Sequence, residues 1–297
     1  MVSKNTFAII GGDLRQYYLA ESLRNDKNKV YIYGFEELSS HENFNDENIN
    51  LDDIIKKSNN IILPIPITRD GKNINSPFAK NKITLNKKFI SLLNHKNIFG
   101  GIIPQISEHL NDKNCNFYDY NTENFKILNA ELTSEAAIKF AISNCDLSLF
   151  KRKILVTGYG RIGKIISKLL KNMGNDVYVC ARNPQDLCWA NLNGYNTFNI
   201  KDIAKNLDFD VIFNTVPSVI FTKEILKLLP KNTYIIDLAS IPGGMDFESA
   251  KELKIKSYQA LGLPGKIFPK NAGEIVKKVI YEIIEEKNLW KKVNALQ

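Results

Sequence analysis

The chain has 297 residues, of which 44% are hydrophobic and 24% charged, the composition of an ordinary globular protein with room for two domains. The net charge is +8 at pH 7, but the lysines are scattered among asparagines, which argues against a nucleic-acid-binding protein. No apolar run reaches the roughly 18 residues of a membrane-spanning helix, and the four cysteines form no C-x-x-C pair and no zinc-binding pattern, so we expect no metal site and a reducing cytoplasm.

The first half of the chain alternates apolar strands with short helices. The first strand starts at Thr6, so we expect no signal peptide. The predicted strands are Thr6–Ile10, Lys29–Tyr33, Asn60–Pro66, Asn97–Ile102 and Asn116–Tyr120, and the predicted helices are Leu14–Arg24, Leu51–Lys57 and Leu85–Leu93. This alternation predicts an open, mostly parallel sheet with helices on both faces.

A glycine turn follows the first strand, at Gly11 and Gly12. It starts as a dinucleotide-binding turn does, but the second and third glycines of the G-x-G-x-x-G fingerprint are missing. A pyrophosphate needs bare backbone at the second position, and a small third residue lets the helix approach the strand. We therefore expect this turn to be structural or to serve another ligand.

A helix is expected to connect the two halves of the chain. Thr133 or Ser134 can cap it, and its apolar positions run from Ala136 to Ile142, which predicts a connecting helix at 133–143.

The second half of the chain restarts the strand–helix alternation at Lys153. Its predicted elements are strands at 153–157, 176–180, 211–214, 234–237 and 256–258 and helices at 164–173 and 271–286. The predicted fold is α/β, with two Rossmann-like, doubly wound parallel-sheet domains and a cleft between them. The predicted domains are a flavodoxin- or Rossmann-like substrate domain at 1–128, onto which helix 271–297 packs back with Trp290 as an anchor, and a second domain at 129–270. Because the second domain contains a complete G-x-G-x-x-G segment, we predict that it binds a nicotinamide dinucleotide.

The Gly158–Gly163 segment carries the full G-x-G-x-x-G fingerprint. It follows an apolar strand directly and precedes a helix, and this context makes the motif specific. Gly158 makes the turn, Gly160 lets a pyrophosphate reach the main chain at the helix N-terminus, and Gly163 allows close packing.

Arg182 follows the second strand of this unit, at the place where an NAD-binding domain usually carries an acidic residue. No acid is present there, and a guanidinium can pair with the 2′-phosphate of NADP, so we predict NADP rather than NAD; Arg182 could instead stack on the adenine. The predicted cofactor contacts are Gly158, Tyr159, Gly160, Arg161, Ile162, Gly163, Ala181, Arg182, Asn183, Thr215, Val216, Pro217, Ala239 and Ser240.

Two later stretches are more specific than the glycine fingerprint: an Ala-Ser-x-Pro-Gly-Gly stretch at Ala239–Gly244 and a Leu-Pro-Gly-Lys stretch at Leu263–Lys266. With these, the chain resembles the dipicolinate synthase A-subunit family from about Thr6 to about Lys278. It departs from the family pattern at Leu132–Glu135, where a proline before the threonine is expected. The stretches that complete the resemblance are Gly11–Arg15, Ile61–Pro66, Asn129–Ala137 and Gly158–Arg161.

The resemblance implies a bacterial sporulation enzyme that oxidises dihydrodipicolinate to dipicolinate with a nicotinamide cofactor. It further implies that the partner is the flavoprotein-like B-subunit of dipicolinate synthase and that the location is the mother-cell cytoplasm; we also expect a homo-oligomer. The chain has three histidines, His41, His95 and His109, all in the first half. The late general-acid histidine of many two-domain dehydrogenases is thus missing, which argues against a D-2-hydroxy-acid dehydrogenase.

Oxidation of this dihydropyridine removes a hydride and a proton and leaves an aromatic pyridine. The site therefore needs cations for two carboxylates and a modest base rather than a strong acid. The candidate cations are Arg15, Arg69, Lys266 and Lys270, and the candidate bases are Asp13, Glu135 and Asp237. Open alternatives are a hydrated precursor as substrate, another NAD(P)-dependent dehydrogenase of a hydroxy or amino acid, and a non-catalytic nucleotide-binding regulatory subunit.

Overall fold

The computed structural model describes residues 5–38, 50–101 and 115–289. The chain divides into two compact units: Met1–Lys126 with Phe268–Gln297, and Ile127–Ile267. Of the residues considered above, His41, His109, Trp290 and the far end of helix 271–297 lie outside the described residues. His95 is exposed.

The first unit contains a five-stranded parallel sheet in the order β2-β1-β3-β4-β5. The strand order reverses between β1 and β3, and ligands of open α/β sheets bind at such a switch point. The strands are β1 (Thr6–Ile10), β2 (Lys29–Tyr33), β3 (Asn60–Ile62), β4 (Asn97–Gly100) and β5 (Asn116–Asp119), and the helices include Leu14–Asn25, Leu51–Lys57, Lys87–Leu92 and Pro269–Glu286.

The helix Pro269–Glu286 packs on the helix Leu14–Asn25 of the same unit. Gly273 makes the close approach possible, because a Cβ there would lie 2.8 Å from both the Arg15 carbonyl oxygen and the Leu19 amide nitrogen. The Ser22 hydroxyl also donates to Glu274 Oε1 at 2.6 Å. The helix that carries Arg15 is therefore held by the helix Pro269–Glu286.

The second unit contains a six-stranded parallel sheet in the order β11-β10-β9-β6-β7-β8. Read from β8, this is the 3-2-1-4-5-6 order of dinucleotide-binding domains. The strands are β6 (Lys153–Thr157), β7 (Asp176–Ala181), β8 (Asn196–Asn199), β9 (Val211–Asn214), β10 (Tyr234–Asp237) and β11 (Lys256–Gln259). The helices are Glu123–Asn144, whose first turn belongs to the first unit, Arg161–Asn172, Pro184–Leu192, Lys223–Leu228, Phe247–Glu252 and Leu263–Ile267, with a 3-10 turn at Ile200–Lys205.

The two parallel sheets confirm the predicted α/β class. The inner strands of both sheets are almost fully buried because helices cover both faces of a parallel sheet, whereas the edge strands β5, β8 and β11 are partly exposed. The apolar runs in the sequence reflect this burial. Because burial produces these runs, the predicted strand bounds agree closely with the observed ones. The order of the strands in each sheet is visible only in the tertiary structure.

The prediction of a helix starting at residue 133 is wrong. The helix runs over Glu123–Asn144, and Thr122 caps it by accepting a hydrogen bond from the Phe125 amide at 3.2 Å. Thr133 and Ser134 lie inside the helix, where their hydroxyls donate to the carbonyls of Asn129 and Ala130 at 2.6 and 2.8 Å. No glycine or proline interrupts the preceding turns, so the helix extends through them.

The third strand is shorter than predicted. It ends at Ile62 rather than at Pro66, although the Leu63 amide still donates to the Phe99 carbonyl at 2.8 Å. Pro64 and Pro66 have no amide hydrogen to continue the ladder.

Candidate functional site

The Gly158–Gly163 turn joins β6 to the helix Arg161–Asn172 at the switch point of the second sheet, where β6 lies between β7 and β9. Gly158 has a φ of +86°, and a Cβ there would lie 2.6 Å from Thr215 Oγ1. A Cβ at Gly163 would overlap the Gly158 carbonyl group. Both positions therefore require glycine for the turn to close against strand and helix.

Gly160 differs from its two neighbouring glycines. A Cβ at Gly160 would meet no atom within 4 Å, and the residue is exposed. Gly160 is also the N-cap of the helix, and no side chain caps that terminus. The helix thus begins with uncapped backbone amides beside open space, which is the arrangement that binds a phosphate.

The corresponding turn of the first unit is closed. The Gly12 amide donates to the Asn75 carbonyl at 2.7 Å, and a Cβ at Gly11 would lie 3.1 Å from the same oxygen. Asp13 caps the following helix, and Gln16 completes a capping box with it. An internal carboxylate thus holds the place that a phosphate would take, which agrees with excluding this turn as a dinucleotide site.

Arg182 lies at the C-terminal end of β7, two strands from β9. Ala181 is buried, whereas Arg182 and Asn183 are exposed. The Asn183 side chain caps the next helix by accepting from the Gln185 amide at 3.0 Å. Arg182 therefore follows the C-terminal end of its strand, as the glycine turn does in the neighbouring strand β6.

A buried hydrogen-bond network joins the ends of β6, β9 and β10. The Thr157 hydroxyl donates to Asn214 Oδ1, and Asn214 Nδ2 donates to Asp237 Oδ1 at 2.7 Å. All three side chains are fully buried. Sequence analysis missed Thr157 as a member of this network, although a polar residue ending an apolar strand is a usable signal.

The same network holds the two segments predicted to contact the cofactor. Asn214 Nδ2 also donates to the Val216 carbonyl at 3.1 Å, which fixes the start of the Thr215–Pro217 segment. Asp237 accepts from the amides of Ala239 at 3.0 Å and Gly244 at 2.8 Å, which fixes both ends of the next loop.

Asp237 is fully buried, and both of its carboxylate oxygens accept hydrogen bonds. A base must reach the substrate proton within hydrogen-bond distance. The buried position of Asp237 does not suit that role, and we reassign this residue from a base candidate to a positioning residue. Ser240, in the loop it holds, is exposed.

Asp13 and Arg15 form a two-point ion pair at the switch point of the first sheet. Arg15 Nε donates to Oδ1 at 2.8 Å and Nη2 donates to Oδ2 at 2.9 Å; Nη2 also donates to the Ile65 carbonyl at 3.3 Å. Burial raises the pKa of Asp13, but hydrogen bonds and charge from Arg15 outweigh it, so the pKa lies below its ordinary value. Burial likewise lowers the pKa of Arg15, and its bonds to Asp13 reverse this, so the net change is upward.

The remaining four candidates are all exposed. Arg69 is exposed in the first unit; its Nε donates to Asn75 Oδ1 at 3.2 Å, and its charge also lowers the pKa of Asp13. Lys266 and Lys270 are exposed, the former in the second unit and the latter in the first. Glu135 is exposed on the helix Glu123–Asn144.

None of the helices in the described part of the chain is long and apolar enough to cross a membrane. Among residues 5–38, 50–101 and 115–289, no group of three or more His, Cys, Asp or Glu side chains could hold a metal ion.

The strand order of the second sheet and the open glycine turn at its switch point define a dinucleotide-binding Rossmann unit. A family model of the S-adenosyl-L-homocysteine hydrolase NAD binding domain matches residues 135–260. A second model, of the N-terminal domain of the dipicolinate synthase A-subunit, matches residues 6–121. The chain is also 30% identical over 293 residues to the dipicolinate synthase A-subunit of Bacillus subtilis (strain 168), covering 96% of this chain and 98% of that protein.

This chain belongs to the dipicolinate synthase A-subunit family. The crystal structure of the A-subunit from Bacillus halodurans is similar to it with a TM-score of 0.81 and 28% identity, covering 96% of this chain and 99% of that one. A transhydrogenase from Sinorhizobium meliloti, 13% identical with a TM-score of 0.64 over 95% of this chain and 93% of its own, shares the fold alone.

Proposed function

We propose that this chain is the dehydrogenase subunit of a dipicolinate synthase, which oxidises dihydrodipicolinate to dipicolinate with NADP as hydride acceptor. The open turn at Gly158–Gly163 carries the redox part of this proposal, because it offers bare backbone and uncapped amides at a switch point. The product is proposed from the name of the relatives. A flavoprotein-like second subunit is proposed as the partner.

The preference for NADP depends on Arg182. This guanidinium is exposed at the end of β7, where the ribose of a bound dinucleotide usually lies, and the neighbouring Ala181 and Asn183 bring no negative charge. A guanidinium presents several donors to a phosphate and stays charged at all physiological pH values. A 2′-phosphate therefore gains a charge-assisted contact that a free hydroxyl does not.

The buried Thr157–Asn214–Asp237 network supports the nicotinamide-facing half of the proposed site. Its hydrogen bonds hold the Thr215–Pro217 segment and the Ala239–Gly244 loop in place in the free protein. Ligand binding therefore does not have to order either segment. A prearranged site lowers the entropic cost of holding the two reacting rings in contact.

Arg15 is the proposed carboxylate-binding residue of the first unit. Asp13 and the Ile65 carbonyl use its Nε and Nη2 groups, whereas its Nη1 group has no partner among the described residues. A substrate carboxylate can therefore bind Nη1 while Asp13 holds the guanidinium in place. Arg69 is proposed as a second cation for the substrate, since its charge, like that of Arg15, lowers the pKa of Asp13. Lys266 and Lys270 are weaker candidates because both are exposed.

The proposed reaction removes one hydride and one proton from the dihydropyridine ring. The hydride goes to NADP, and the product ring is aromatic, so loss of the proton is favourable without a strong base. Asp13 is held as a carboxylate by Arg15, Asp237 is buried and Glu135 stands on an exposed helix face. The proposal therefore has the proton leave to solvent.

The test is a spectrophotometric assay of freshly made dihydrodipicolinate with the purified chain, with and without the second subunit, and with NADP or NAD. The expected result is reduced cofactor and dipicolinate, with NADP preferred. Absence of reduced cofactor in all four mixtures would overturn the enzymatic proposal. Binding of NADP without turnover would indicate a regulatory subunit, and turnover of a hydroxy or amino acid alone would indicate another dehydrogenase.

A further inference from the structure

A groove of 880 Å³ lies on the helical face of the second unit. Its walls come from the helices Glu123–Asn144, Arg161–Asn172 and Pro184–Leu192, and Tyr159 and Tyr195 contribute aromatic surface. Of the predicted cofactor contacts, only Tyr159 lines it. The proposed function therefore leaves most of this groove without a role.

Large apolar side chains stand exposed at the groove. Trp189 and Ile127 line the groove from different helices and are 61% and 45% exposed. Leu192 does not line the groove, but it follows Trp189 by one turn of the same helix and is 73% exposed. Single exposed apolar residues are common, but several around one concave surface mark an interaction site. Tryptophan in particular is enriched at the centre of protein interfaces.

The charged side chains of the groove form two separate rows of opposite sign. The acidic row is Glu131 and Glu135, four residues apart on the helix Glu123–Asn144. The basic row is Lys164, Lys168 and Lys171 on the helix Arg161–Asn172. All five are exposed. No ion pair within 4 Å joins the acidic row to the basic row in the described structure; Lys164 instead lies over the Tyr159 ring at 5.7 Å from its centroid.

We propose that a second copy of this chain docks on this groove with two-fold symmetry. In a two-fold contact the same patch serves on both partners, so the acidic row of one copy faces the basic row of the other, twice. The exposed ridge at Trp189 and Leu192 of each copy fills the groove of its partner. A partner of a single charge sign would leave one of the two rows opposed by like charge.

The experiment measures the mass of the full chain in solution by light scattering or sedimentation. The parent chain is expected to be a dimer. The Lys168→Glu, Lys171→Glu double variant reverses the charge of the two basic-row residues that lie farther from the glycine turn. The Glu131→Lys, Glu135→Lys double variant reverses the charge of the acidic row. Each alone brings like charges together twice and is expected to raise the dimer dissociation constant by about tenfold or more.

Mixing the two variants is the decisive step. In the mixed dimer the acidified row of one variant faces the basic row created in the other, and the two unchanged rows also face each other with opposite charge. The dimer is therefore expected to form with nearly the parent affinity. A matched control, Lys227→Glu with Lys251→Glu, changes two exposed helical lysines away from the groove and should leave the dimer intact. Thermal unfolding of each variant checks that it folds.

A monomeric parent chain would overturn the proposal. Two monomeric variants that stay monomeric when mixed would also overturn it, as would a dimer that neither variant disturbs. If the groove variants remain dimers and lose only binding of the second subunit, the groove is the site of that partner, and the proposed two-fold contact is wrong.

Discussion

Gly160→Ala tests the proposed phosphate position directly. The new methyl group meets nothing within 4 Å in the free protein, and the residue has a φ of −78°, which alanine adopts without strain. Alanine is a poorer N-cap than glycine, but it also lowers the entropy of the unfolded chain, so the net change in stability should stay within about 0.5 kcal/mol. A pyrophosphate in that space would instead be overpacked by about 1–3 kcal/mol, so NADPH should bind about ten- to a hundredfold more weakly.

Gly163→Ala is the matched change that should also lower the stability of the protein without cofactor. Its Cβ would overlap the Gly158 carbonyl group, so the turn must shift even without a ligand. Overpacking of about 3 kcal/mol, offset by about 1 kcal/mol of helix propensity, leaves a loss near 2 kcal/mol. That loss corresponds to a thermal midpoint about 4–8 °C lower.

The assay pairs thermal unfolding without cofactor with a fluorescence titration of NADPH. Gly160→Ala should keep its midpoint and lose affinity, whereas Gly163→Ala should lose both. If Gly160→Ala binds NADPH as tightly as the parent chain does, the pyrophosphate does not lie against this turn and the reasoning fails.

Three further predictions concern charged residues. Arg182→Asp should weaken NADPH binding at least about tenfold more than NADH binding, measured by titration; equal effects would show that Arg182 does not contact the 2′-phosphate. Asp237→Asn should lower the free energy of unfolding in urea by about 2–3 kcal/mol, because an amide hydrogen replaces an acceptor where three buried donors meet, while the exposed Asp208→Asn should cost under about 1 kcal/mol. The lowered pKa of Asp13 predicts stability that is complete above the ordinary value of 3.8 and is lost as the pH falls through the folded-state pKa; Asp13→Asn should therefore be less stable at neutral pH and converge with the parent chain in acid denaturation curves, and parallel curves would contradict this.

The local parts of the site could be predicted from the sequence. The turn at Gly158–Gly163 joins a strand directly to a helix. The positive φ of Gly158 and the contact between Gly163 and the Gly158 carbonyl group are set within the turn itself. Arg182 could be placed because it directly follows a strand. Both positions depend on short-range geometry, which a linear pattern carries.

The roles of charged residues could not be predicted in this way. Asp13 and Arg15 are two residues apart, yet nothing in their spacing shows that one holds the other in a two-point ion pair. Asp237 looked like a base and is a fully buried acceptor, because Asn214 and Gly244 reach it across neighbouring strands and a loop. Burial and hydrogen-bond partners decide what a carboxylate can do, and both are tertiary properties.

The sequence by itself determined the α/β class, most strand bounds and the open dinucleotide turn, because apolar runs and glycine spacings follow from local backbone geometry and from burial of whole strands. The tertiary structure decided the order of the strands, the closure of the Gly11–Gly12 turn by Asn75 and the meeting of acidic and basic rows around one groove. These features depend on which distant segments of the chain become neighbours in the fold. The sequence separation of two residues does not show whether loop closure brings them into contact.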